Sequence, residues 1–242
     1  MHLGEVAREC GYAPDTFKLH TIIVAGEPGG SLPAVRGQLK QLWPNAKVYD
    51  HHGMTEVGPV SYECPEHACR LHVIEDAFIA EVIDPKSLNL ADPGEKGELI
   101  LTTLDRVGSP LIRYRTGDLV QPLTSGKCDC GSSDLALEGG IIGRCDDMVV
   151  VRGVNIYPSA IDQIVRECGG IAEYRVEVKK VRNLVELDVT IEPEAGLEDV
   201  GGLVVKLSRA FQLSLALRIP VRATRSESLP RFEMKAKRWK RT

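Results

Sequence analysis

No apolar run in this 242-residue chain reaches the roughly 18 residues that a membrane-spanning helix needs. The opening residues have neither a basic n-region nor an apolar h-region, so no secretory leader is expected. Positive charge is not in excess: 30 Lys and Arg stand against 34 Asp and Glu, a formal net charge of −4, which argues against a general nucleic-acid binder. Nor do the cysteines form an even set. There are seven, and without a leader they point to reduced thiols or a metal rather than a disulfide framework, with the cytosol as the expected compartment. The rest is ordinary globular material, 43% hydrophobic and 26% charged, enough for one and a half to two domains.

The first half reads as α/β. Residues 19–25 (Leu-His-Thr-Ile-Ile-Val-Ala) form a buried strand closed by a Gly- and Pro-rich loop. Ser31 suits an N-cap and Pro33 a first-turn position, so 32–42 is a helix with Val35, Leu39 and Leu42 on one face. Residues 46–49 are the next strand. Strand, helix, strand with short connections is a βαβ unit and hence a parallel sheet. Ligands in such sheets lie beyond the carboxyl ends of the strands, where residues 26–28 and 50–58 fall. Residues 71–84 and 97–104 read as two strands of an antiparallel piece, with a turn at 90–95 between them.

A composition change comes at 143–155. Three charges, Arg144, Asp146 and Asp147, precede the apolar run 148–151, which reads as a strand ended by the turn Arg152-Gly153. Downstream, 158–165 is a helix with Gly169-Gly170 at its end, and 174–181 and 184–191 form a hairpin. Residues 200–213 are an amphipathic helix, and 219–223 a last strand. Strand, helix, strand, strand, helix, strand is a small α+β domain of ferredoxin-like order. The last twelve residues are basic: Arg231, Lys235, Lys237, Arg238, Lys240 and Arg241 against Glu233. They are either a solvated tail or a tail that meets phosphate.

The cysteines supply a second pattern. Cys64 and Cys69, with His67 and His72 near, and the tight pair Cys128 and Cys130 fit two knuckles of a closed tetrahedral zinc site; free thiols are the alternative. Cys10, Cys145 and Cys168 read as bystanders.

The run Gly143-Arg144-Cys145-Asp146-Asp147, continued by Arg152-Gly153-Val154-Asn155, resembles the hinge motif of the adenylate-forming ligases, in the branch that holds phenylacetate–coenzyme A ligase. Four further blocks agree in order: Ala25-Gly26-Glu27-Pro28, His52-Gly53-Met54-Thr55-Glu56-Val57-Gly58, Ile112 to Asp118, and Leu229 to Arg238. The resemblance implies the C-terminal portion of the family's large domain over 1–145, a parallel sheet plus an antiparallel β piece. The small mobile α+β domain would follow over 146–242, with Asp146 as hinge. It implies adenine near Ala25, Gly26, Glu27, Pro28 and His52, within a nucleotide-binding stretch that takes in Asp50, His51, Gly53 and Met54. Phosphate would meet Thr55, Mg²⁺ would meet Glu56, and the ribose end Asp118 and Arg144. Lys235 would meet the acyl carboxylate and α-phosphate, and Gly153 would face the pantetheine of coenzyme A. It also favours a structural zinc held by Cys64, Cys128 and Cys130, with His72 or Cys69 fourth.

The expected activity is therefore ATP-dependent ligation of an acyl or aryl acid to coenzyme A through an acyl-adenylate. The substrates would be a small carboxylic acid, ATP and coenzyme A, with no nucleic-acid or membrane partner. The family's Ser/Thr/Gly-rich phosphate loop is missing: Gly29-Gly30-Ser31 is too short and follows the wrong strand. The expectation is thus a fragment, or one half of a split enzyme that works with a separate N-terminal half or as a homodimer. The alternatives are an AMP- or acyl-adenylate-binding protein without turnover, and a zinc-stabilised interaction protein.

Overall fold

A computed structural model of the chain describes residues 2–26, 30–124, 128–181, 184–232 and 237–241. It divides into two units, Met1–Asp146 and Asp147–Thr242.

The first unit opens with α1 (His2–Glu9), then β1 (Thr21–Val24), α2 (Pro33–Leu42) and β2 (Lys47–Asp50). β1 and β2 pair in parallel, from Thr21 opposite Lys47 to Val24 opposite Asp50. α2 starts on a proline and buries Val35, Leu39 and Leu42 beside Leu32 and Trp43. Its cap departs from the sequence reading. Leu32 holds the N-cap position without a side-chain bond, because the Ser31 hydroxyl donates to Asp50 Oδ2 at 2.5 Å instead.

Next come β3 (Gly53–Met54), β4 (Gly58–Pro59), β5 (Ser61–Glu63), β6 (Arg70–Val73), β7 (Phe78–Ile83), β8 (Gly97–Thr103), β9 (Tyr114–Val120), β10 (Ala136–Glu138) and β11 (Gly143–Arg144). β3 and β4 make a short hairpin, β10-β6-β5 a three-stranded sheet, and β11-β9-β8-β7 a four-stranded one. Residues 71–84, read as one strand, are two strands in different sheets. The chain turns at Glu75-Asp76, with the Ala77 N–H donating to Ile74 O. Val60, Leu71, Val73, Leu99, Leu101, Val120 and Leu137 pack between these sheets. Each such buried side chain is worth about 1.5–3 kcal/mol.

The second unit starts with a hairpin of β12 (Val149–Val151) and β13 (Val154–Ile156), turned by Arg152 and Gly153 at φ 49° and 84°. Then come α3 (Pro158–Cys168), β14 (Ile171–Val181), β15 (Leu184–Pro193), α4 (Val200–Leu215), β16 (Val221–Ala223) and β17 (Trp239–Arg241). The sheet order is β16-β15-β14-β17, with β14 and β15 antiparallel and both outer strands parallel to their neighbours. The opening strand of the expected α+β order thus stays in its own hairpin, and residues read as a basic tail supply β17. Val176, Val189, Ile191, Leu207 and Phe211 make the fully buried centre. α4 is capped by Asp199, which accepts from the Gly202 N–H at 2.7 Å. The turn at 182–183 lies outside the described residues, and among the described residues no helix is long and apolar enough to cross a membrane.

Candidate functional site

The carboxyl ends of β1 and β2 lie side by side, and the His51 N–H donates to Val24 O at 3.2 Å. Ala25 and Gly26 leave β1 there; Glu27 and Pro28 lie outside the described residues. Asp50 ends β2 and is buried. His52 follows with its backbone locked, its carbonyl accepting from Val60 and Ser61 and its N–H donating to Ser61 Oγ at 3.1 Å. Gly53 and Met54 enter the β3–β4 hairpin, which carries Thr55 and Glu56 at its exposed tip.

His52 meets Asp118 from β9. Its Nε2 lies 3.0 Å from Asp118 Oδ2, and both side chains are nine-tenths buried. The other Asp118 oxygen faces Arg144 Nη1 at 3.4 Å, because β11 pairs with β9 so that Arg144 stands opposite Asp118. Arg144 also donates to Thr116 O at 3.2 Å and to Asp146 at 2.9 Å. Gly117 makes room for this: its φ is +75°, and a Cβ there would strike the Arg144 guanidinium. His52 Nδ1 is buried and has no hydrogen-bond partner among the described residues. The structure therefore gathers His52, Asp118, Arg144 and Asp146. An open cleft of about 390 Å³ adjoins them, lined by Glu98, Arg115, Gly117 and Arg144. Cys145 lies at this cleft, and burial pushes its thiol up to about 11, out of the reactive range.

Beneath the loops is a polar network that the sequence did not reveal. Glu63 is almost fully buried. It accepts from the Asp50 N–H at 2.6 Å, the Cys69 N–H at 2.7 Å and Arg36 Nη2. Arg36 also donates to Gly30 O at 2.6 Å and Val48 O at 3.0 Å. Burial pushes the Asp50 carboxyl up, against the Ser31 hydrogen bond and the Arg36 charge. Gly30 is needed for closeness, since a Cβ there would overlap the Asp50 carboxylate.

One residue beyond Glu63 lies the cysteine cluster. The donor atoms of Cys64, His72, Cys128 and Cys130 all lie within 4.8 Å of one another. Cys64 and Cys128 Sγ are 3.7 Å apart, and Cys130 Sγ is 3.4 Å from His72 Nε2. Tetrahedral zinc with bonds of about 2.3 Å to sulfur and 2.0–2.1 Å to nitrogen requires separations of about 3.8 and 3.5 Å. His72 is fully buried and its Nδ1 lies 3.3 Å from Asp134 O; donating there leaves Nε2 as a free lone pair toward the cluster. Burial raises the Cys128 thiol, but hydrogen bonds from the Cys130 backbone and Arg70 outweigh it and bring it down to about 6. The donor set fits a closed zinc site. Cys69 stands outside this set, at φ 66° with its N–H on Glu63. His67 faces Asp129 at 2.5 Å and is half-exposed.

In the second unit Gly153 sits in the β12–β13 turn, and Lys235 lies outside the described residues. Arg231 and Arg238, on either side of it, are held by Glu192 and Glu173.

Residues 153–240 match the family described as AMP-binding enzyme C-terminal domain. The chain belongs to the adenylate-forming ligases, in the branch of the phenylacetate–coenzyme A ligases, and corresponds to their C-terminal part. It is 34% identical over 193 residues to the phenylacetate–coenzyme A ligase of Thermus thermophilus, covering 78% of this chain and 42% of that protein. The enzyme of Pseudomonas putida is 30% identical over 245 aligned positions, covering 98% and 54%. A crystal structure of 2-hydroxyisobutyryl-CoA ligase in the postadenylation state, in complex with R3-HIB-AMP, superposes with a TM-score of 0.90 at 32% identity, over 100% of this chain and 52% of that one. The chain thus spans about half the length of these relatives.

Proposed function

We propose that this chain carries the nucleotide-binding edge and the mobile domain of an ATP-dependent acyl- or aryl-acid–coenzyme A ligase. The observation that carries the reading is the buried His52–Asp118 pair just beyond the carboxyl end of β2, with the more exposed Arg144 beside it, in a chain 30–34% identical to phenylacetate–coenzyme A ligases. In the first half-reaction a substrate carboxylate oxygen bonds to the α-phosphorus of ATP and pyrophosphate leaves. In the second, the coenzyme A thiol bonds to the acyl carbon and AMP leaves. Asp118 accepts hydrogen bonds from the ribose hydroxyls, Arg144 steadies that carboxylate, and His52 lies beside the base with Ala25 and Gly26. Thr55 offers its hydroxyl to phosphate, and Glu56 offers a hard oxygen ligand for Mg²⁺. Lys235 brings a compact ammonium to the charge that develops between carboxylate and α-phosphate. Asp146 absorbs the turn of the small domain between halves, and Gly153 then faces the pantetheine arm. A zinc ion held by Cys64, His72, Cys128 and Cys130 has no position open to substrate, so its contribution is structural.

The deciding experiment is carboxylate-dependent ATP–pyrophosphate exchange with a panel of aryl and arylacetic acids. It is run on the chain alone and with a relative's N-terminal half added. Lys235→Ala should abolish exchange yet spare thioester formation from supplied acyl-adenylate; loss of both in a folded variant would sink the assignment. A second reading is an AMP- or acyl-adenylate-binding protein without turnover. AMP binding with no exchange in either arm would select it. No nucleotide binding at all would select a zinc-stabilised interaction protein.

A further inference from the structure

Arg70 stands at the cysteine–histidine cluster without being one of its donors. Side chains two apart on a strand share a face, so β6 sends Arg70 and His72 toward the cluster and Leu71 into the core. Arg70 Nη1 donates to Cys128 Sγ at 3.1 Å. The same nitrogen lies 3.3 Å from Asp129 Oδ1, and that oxygen is itself 3.5 Å from the Cys128 sulfur. A carboxylate so close to a thiolate repels it; the guanidinium bridges the two. Arg70 Nε donates to Glu138 Oε2 at 2.9 Å, because Glu138 on β10 stands opposite Arg70. The Arg70 carbonyl accepts from the Cys64 N–H at 2.8 Å. One residue therefore touches both knuckles, the first through its backbone and the second through its side chain.

The charge balance explains why a cation is needed there. Three thiolates and one neutral imidazole around a divalent ion leave one net negative charge. Cys64 and Cys128 are 3% and 6% exposed and His72 is fully buried, so water does little to offset it. The pairs with Asp129 and Glu138 do not account for the placing of Arg70. Those carboxylates are 72% and 49% exposed, and surface pairs of that kind contribute little, whereas the Arg70 side chain is 15% exposed. The guanidinium also stands where a second ion would have to go. His67, Cys128 and Asp129 are donors within 4.8 Å of one another, and Arg70 lies against two of the three.

We infer that Arg70 is a positioning residue of the zinc centre: its guanidinium neutralises the net negative charge of the three-thiolate site and holds the Cys128 sulfur at the metal through a hydrogen bond. This rests on the zinc site proposed above. Arginine suits the role because it stays charged and its planar fork fixes direction as well as charge. Glu138 aims the fork by holding Nε, so that Nη1 meets the sulfur. A hydrogen bond to a metal-bound thiolate lowers the energy of the sulfur lone pairs, and partners of this outer kind set how tightly a metal is held.

The test uses the full chain with zinc alone and cobalt(II) alone as probes. Zinc affinity is read by competition with a chromophoric chelator, and the sulfur by the thiolate-to-cobalt charge-transfer absorption. Arg70→Met should weaken zinc by about 10- to 100-fold and move the charge-transfer band to lower energy, while wild type and variant both hold one metal ion. Arg70→Lys keeps the charge and loses the fork, so it should recover most of the affinity. Glu138→Gln should weaken zinc less than Arg70→Met. If Arg70→Met fails to fold, Arg70→Gln against Arg70→Lys decides: the glutamine variant should bind zinc roughly tenfold more weakly than the lysine variant, and equal affinities overturn the proposal. In a folded Arg70→Met, an unchanged affinity overturns the neutralising role, and an unmoved band overturns the hydrogen bond to sulfur. Wild type that takes up neither metal overturns the zinc site itself, and the role of Arg70 falls with it.

Discussion

Arg36→Ala is the most informative single perturbation of the first unit. It removes donors to Gly30 O, Val48 O and Glu63, and it leaves Glu63, whose side chain is 2% exposed, with the N–H groups of Asp50 and Cys69 as its remaining described partners. Breaking a buried ion pair from one side costs about 3–5 kcal/mol. The two retained N–H bonds soften the penalty, so about 3 kcal/mol is expected, a large share of a total stability of about 5–15 kcal/mol. With a urea m-value of about 2 kcal/mol/M, the midpoint should fall by roughly 1.5 M. The chain has two tryptophans, one in each unit. A Trp239→Phe background makes Trp43, buried beside α2, the sole reporter of the first unit. Glu63→Gln removes the stranded charge, so the double variant should be at least about 1.5 kcal/mol more stable than the sum of the two single effects. A loss under about 1 kcal/mol for Arg36→Ala, or additivity within about 0.5 kcal/mol, would refute the account of this network.

Other outcomes follow from the same geometry. Protein purified without chelator should hold zinc at about one equivalent by mass spectrometry; His72→Ala and Cys130→Ser should lose it, and Cys69→Ser should keep it. Asp118→Asn should weaken AMP binding by about 10- to 100-fold in calorimetry, the range for a hydrogen bond to a charged group, and should erase any preference for AMP over 2′-deoxy-AMP. The pH dependence has a definite sign. The Arg231 hydrogen bonds hold the Glu192 carboxyl at about 2, against an ordinary 4.5, despite its burial. Its stabilisation is therefore complete above pH 4.5 and is lost as pH falls toward 2. Unfolding followed at Trp239 in a Trp43→Phe background should show this acid loss, and Arg231→Gln should flatten it.

Short-range signals made much of the first unit legible. The β-branched run at 21–24, Pro33 and the spacing of Val35, Leu39 and Leu42 locate β1 and α2. Glu75-Asp76 is a turn signal inside a long apolar stretch, and it was outweighed by the strands on either side. The cysteine pattern pointed to a cluster, but it could not choose between His72 and Cys69. That choice depends on β6 pairing with β10, which sets His72 opposite Ala136. Arg36 and Glu63 lie 27 residues apart on different elements, and neither bears a local sign that it seeks the other. Glu173 and Glu192 look like the polar positions of an alternating hairpin. Their burial depends on Arg238 and Arg231, which return from 65 and 39 residues later in the chain, respectively.

Glu63 and Cys64 are adjacent in sequence yet serve different groups: the carboxylate grips the Asp50 amide and Arg36, and the thiol belongs to the cysteine–histidine cluster. A knuckle grafted between relatives would therefore not behave as a self-contained cassette. Moving Cys64, His72, Cys128 and Cys130 without Arg36, Asp50 and Glu63 would set a foreign strand under the loop that leads to His52. The transferable piece is the seven residues together, and chimaeras cut between Asp50 and Cys64 should be the ones that misregister.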